Sequence, residues 1–131
     1  LTGGSLFLLP GTVLPAVTEG AEYVEELSGP NSILAKPGTI VLKYTLPRLQ
    51  TFRFDTIKQV VTFHDSPGAV TYEIWNESEQ EWQPLLGADS QVGGLSSYLV
   101  RDEYVLIRLN VTARTNMILP GIGFEGRVPH D

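Results

Sequence analysis

The sequence predicts an all-β domain, an antiparallel two-sheet β-sandwich of about eight strands, and three observations carry that reading. Thirteen Gly and nine Pro in 131 residues supply a turn about every ten residues, which short strands need and long helices tolerate badly. Several segments alternate apolar and polar side chains, the period that sets one strand face on a core and the other in water. Turn signals recur about every 8–12 residues, the spacing of sandwiches and barrels.

The elements follow in order. Residues 5–9 and 12–17 read as a first strand pair, or as one strand bent at Pro10-Gly11. Residues 19–26 are acidic with Tyr23 and Val24 between the charges, and fit one or two helical turns or a loop or short extended segment. Residues 39–46 form a strand with Ile40, Leu42 and Tyr44 on one face, ended by Pro47. Residues 52–54 and 58–64 read as two further strands before the Asp65-Ser66-Pro67-Gly68 turn. Residues 69–76 set Val70, Tyr72 and Ile74 against Thr71, Glu73 and Trp75, and pair as a hairpin with residues 81–85. A longer loop spans 87–94. Residues 104–111 place Val105, Ile107, Leu109 and Val111 inward, and a last strand at 117–126 offers Ile118, Ile122 and Phe124 to the core.

Length and composition fit one domain over residues 1–131, with 42% hydrophobic and 18% charged residues. Fifteen acidic against nine basic residues give a net charge of −6. The basic residues are scattered singly, so neither nucleic acid nor an anionic membrane surface is an expected partner. The apolar opening, broken by Pro10, Gly11 and Pro15, is too short to span a bilayer. Zero cysteines exclude a disulfide framework and thiolate chemistry without fixing the compartment. Leu1 in place of Met points to a processed chain or a piece excised from a longer protein.

Catalysis finds little support. His64 stands at a strand end and reads as turn-capping, while His130 lies in the C-terminal tail. No G-x-S-x-G elbow marks a serine. Glu73, Glu79, Glu81, Asp102 and Glu103 could supply an acidic pair only if two converged in one cleft. Thr2-Gly3-Gly4-Ser5 and Gly93-Gly94 lack the setting of a phosphate loop. The expectation is therefore no enzyme and no cofactor. Asp89, Asp102 and Glu103 qualify by type as calcium ligands, against a reading of ordinary loop polarity. Asn76-Glu77-Ser78 and Asn110-Val111-Thr112 match the glycan-acceptor triplet, which chance also explains.

Trp75 and Trp82 flank a polar turn, and Trp75 falls on the face opposite Val70, Tyr72 and Ile74. An outward Trp either packs under a neighbour or offers apolar area to a sugar or a partner protein.

From residue 70 to 127 the run Tyr72-Glu73-Ile74-Trp75, Glu81-Trp82, Tyr98-Leu99-Val100, Tyr104 to Leu109 and Ile122 to Gly126 resembles the second half of galactose-binding-like jelly-roll modules. The likeness covers less than half the chain. The family's calcium loop is not placed in residues 19–39, so its ligand residues do not carry over. The pattern is also similar to non-catalytic β-sandwich modules of exported, membrane-anchored bacterial proteins. Either resemblance implies a jelly-roll-like, extracytoplasmic accessory domain, secreted or in the cell envelope. Two functions follow as expectations: a non-catalytic module binding carbohydrate through Trp75, Trp82 and Tyr98, or an assembly domain contacting other proteins in an envelope, appendage or capsid.

Overall fold

The computed structural model describes residues 4–49, 52–85 and 92–128. The alternation folds into two antiparallel sheets. In the first, strands β2 (Pro15–Glu19), β5 (Gly38–Thr45), β10 (Tyr104–Val111), β7 (Val70–Asn76) and β8 (Glu81–Pro84) lie in the order β2-β5-β10-β7-β8. In the second, β3 (Val24–Glu26), β4 (Ser32–Ala35), β11 (Thr115–Arg127), β6 (Arg53–His64) and β9 (Val92–Gly93) lie in the order β3-β4-β11-β6-β9. A sixth strand, β1 (Ser5–Leu8), pairs with the end of β11. Strands β4 to β11 thus fill the orders β4-β11-β6-β9 and β5-β10-β7-β8, which is the connectivity of a two-sheet jelly roll. β1, β2 and β3 extend it.

The inner faces meet in one core. Leu42, Tyr44, Ile74 and Ile107 come from the first sheet and Ile57, Met117, Ile122 and Phe124 from the second. Tyr44 is fully buried, and its hydroxyl donates to the Pro120 carbonyl at 2.6 Å. That bond offsets the cost of drying a phenol, and burial pushes its ionisation far above the usual range.

Among the described residues eleven strands form where about eight were expected, and each difference has a local cause. β3, β4 and β9 are four residues or fewer, too short for alternation to show. Residues 5–9 and 12–17 do not pair: β1 joins the second sheet and β2 the first. The acidic stretch splits into a 3-10 turn at Ala21–Tyr23 and strand β3.

The two strands expected at 52–54 and 58–64 are one, β6, in which a register shift against Gly123 and Phe124 inserts Lys58 as an extra residue. Ile57 and Val60, three apart, therefore both point into the core. A second shift, between Ile118 and Gly121, has the same effect on β11. Ile118, expected in the core, is 44% exposed, while Ile122, four residues on, is fully buried. Pro120, which cannot donate to a ladder, sits within this irregularity.

Candidate functional site

No register shift interrupts β7 or β8, so Trp75 keeps the outward orientation expected from alternation. β7 and β8 pair Trp75 directly with Trp82. The rings meet edge to face, with centroids 5.3 Å apart and planes at 62°, a favoured aromatic geometry. Their turn is held from within. Asn76 is buried and its Oδ1 accepts from the Glu79 amide at 2.9 Å. Glu77 Oε1 accepts from Trp75 Nε1 at 2.9 Å and from Gln80 Nε2 at 3.0 Å.

The neighbouring strand completes the face. β10 pairs Arg108 with Glu73 and Asn110 with Thr71. The Arg108 guanidinium lies 4.4 Å from the Trp82 ring centroid, and its Nε and Nη2 reach Glu73 Oε1 at 2.9 and 2.8 Å. The same oxygen accepts from Asn110 Nδ2. Both charged side chains are about a quarter exposed, 28% for Arg108 and 23% for Glu73. Further along, Lys43 Nζ stands 4.6 Å over the Tyr104 ring. The outer face of the five-stranded sheet therefore carries half-buried aromatic rings beside polar groups that hold one another on rigid strands. Such a surface can stack on an apolar ligand face and donate hydrogen bonds from fixed positions.

Residues 8–126 match the family described as "Domain of unknown function (DUF8815)". The chain belongs to the DUF8815 family. No curated protein and no solved structure matches it.

Tyr98, Asp102 and Glu103 of the DUF8815 domain lie apart from the tryptophan pair. Tyr98 follows a 3-10 turn at Leu95–Ser97, packs against the core and donates from its hydroxyl to Gln83 Oε1 at 3.0 Å. Gln83 opposes inward-facing Ile74, so Tyr98 lies away from the outward tryptophans. Asp102 and Glu103 are exposed in the turn between Val100 and Tyr104, and Glu103 pairs with Arg48 at 3.3 Å. Asp89 lies outside the described residues, as does His130. Among the described residues no group of three potential metal ligands converges.

Of the candidate acidic pair, Glu73 is occupied by Arg108 and Asn110, while Glu79 and Glu81 stand exposed by the hairpin turn. Neither acceptor triplet offers a free asparagine: Asn76 is buried in its turn and Asn110 is held to Glu73.

His64 Nδ1 lies 3.0 Å from the Tyr72 hydroxyl, and burial pushes the Tyr72 pKa up to about 12. The next residue, Asp65, ties the turn after β6 to β11: its Oδ1 accepts from Thr115 Oγ1 at 2.8 Å and the Asn116 amide at 3.1 Å. Those bonds, the Thr115 hydroxyl foremost, hold the Asp65 carboxyl below its ordinary range. Sequence reading missed Arg108 as the partner of Trp82, and Glu73 and Asn110 as its neighbours in one bonded group. The available signal was their common outward parity on adjacent strands.

Proposed function

We propose that this DUF8815 domain is a non-catalytic binding module whose ligand site is the outer face of the five-stranded sheet, and that the ligand is a carbohydrate. The observation that carries the reading is the Trp75–Trp82–Arg108–Glu73 arrangement. Sugars present an apolar C–H face flanked by hydroxyls, and this face sets half-buried indoles beside a fixed carboxylate, guanidinium and amide. The resemblance to galactose-binding-like modules points the same way, and an extracytoplasmic setting belongs to the same proposal.

The test is tryptophan fluorescence with an aqueous quencher across a panel of soluble polysaccharides. A glycan that protects the indoles, and loses that effect in both Trp82→Ala and Glu73→Gln, is the expected result. Indoles that quench identically with every glycan would remove the carbohydrate reading. The assembly reading draws on a separate observation, the exposed apolar side chains of the opposite sheet.

A further inference from the structure

The outer face of the six-stranded sheet presents a different chemistry. β11 pairs with β4 at Thr115 to Ile118 and with β1 at Leu8 to Ser5, opposite Phe124 to Arg127. The stretch between carries Gly121 and Gly123, and Pro10, in the β1–β2 connection, packs on both. A Cβ added at either glycine would meet a Pro10 side-chain atom at 3.2 Å. The connection walls a cleft of about 220 Å³ whose other wall is Val61, Phe63 and Ile118. Phe63 is 55% exposed and paired across the ladder with Ile118. Leu9 and Leu14, on the connection itself, are 70% and 65% exposed, and Phe7 on β1 is also open to solvent.

We propose that this face is a homotypic docking surface, occupied in solution by a second copy of the chain. Three features select a copy. First, no residue lining the cleft is charged, although the chain carries net charge −6. Two copies repel least where their contact holds no charge. Second, one chain supplies both halves of the contact. The cleft has room for an aliphatic side chain, and the exposed Leu9 and Leu14 stand on the segment that walls it. A two-fold axis across the face sets each copy's leucines toward the other's cleft.

Third, the area is right. Taking about 200 Å² for a fully exposed large apolar residue, on the scale of an aromatic ring, the exposed fractions of Phe7, Leu9, Leu14, Val61, Phe63 and Ile118 sum to roughly 650 Å² of apolar surface. That is the upper end for a monomer and approaches the ~800 Å² each partner gives a standard interface. Edge-to-edge pairing is the poorer route. β2 begins at Pro15, β8 ends at Pro84, β3 carries Glu25 and Glu26, β9 has two residues and β1 only four.

Sedimentation of the chain over a wide concentration range tests the proposal. The expected result is a concentration-dependent dimer. Phe63→Lys should weaken it roughly tenfold or more, the loss seen when a central apolar anchor is removed. Its circular dichroism and thermal transition should be retained, because the Phe63 side chain is solvent-exposed. Thr71→Lys, on the other sheet, should leave the dimer intact. A chain that stays monomeric at every concentration overturns the proposal and leaves the face to a different protein. So does a dimer that Phe63→Lys does not weaken.

Discussion

On the five-stranded sheet the outward side chains of Arg108 and Asn110 are both bonded to Glu73, and the Trp82 ring covers the Arg108 guanidinium. On the six-stranded sheet the outward Val61, Phe63 and Ile118 are apolar and open. Both faces arise from strand alternation, but by different means. β7, β8 and β10 keep unbroken register, so outward parity delivers polar and aromatic residues opposite one another. β6 and β11 carry register shifts, and one of them turns Ile118 out of the core. Regular ladders build a face whose groups fix each other, and irregular ones release apolar side chains to solvent.

The largest expected effect breaks both faces at once. Ile107 is fully buried, and its strand carries outward Arg108. Ile107→Ala should cost about 2–5 kcal/mol by chemical denaturation, with loss of any glycan effect and of the dimer together.

Gly123→Val sharpens the contrast by acting on one face. Its side chain would be driven against Pro10 and the Leu8 carbonyl, which a Cβ already meets at 3.2 and 3.3 Å. The expected cost is about 1–3 kcal/mol, with the dimer weakened and tryptophan fluorescence unchanged.

Arg108→Ala acts on the other face. It removes a half-buried ion pair and a cation–π contact, and thermal unfolding should register about 1–2 kcal/mol. Tryptophan quenching should rise and the dimer should persist.

The smallest effect belongs to Asp65, which holds the start of β11 to the turn after β6. Its carboxyl is lowered in the folded chain from an ordinary value of 3.8, so its contribution is present above that value and is lost as pH falls through the lowered one. The stability gap between wild type and Asp65→Asn should therefore close on acidification.

Much of the fold was legible because β7 and β10 alternate without interruption and β5 departs from alternation only at buried Val41, and Ile40, Tyr72 and Leu109 lie in the core as their parity requires. β4 escaped notice because Ser32 to Ala35 is too short for a period to emerge. Ile118 was misplaced because a register shift is invisible to a parity count. The Trp75–Trp82 pair followed from the hairpin, whereas Arg108 entered through a strand pairing across 35 residues that local pattern cannot supply. Tyr98 was grouped with the tryptophans by a sequence resemblance, and the fold sets it beside Gln83 instead.

One amide and side-chain NMR series on the isotopically labelled chain tests most directly whether the two faces serve two different partners. Titrated with a protecting glycan, the indole signals of Trp75 and Trp82 and the Arg108 Nε–H should move while Phe63, Ile118 and Gly121 stay fixed. Raised in protein concentration alone, the second set should move and the first stay fixed. Glycan-induced shifts confined to Phe63, Ile118 and Gly121, or concentration-dependent shifts at Trp82 and Arg108, would contradict the account.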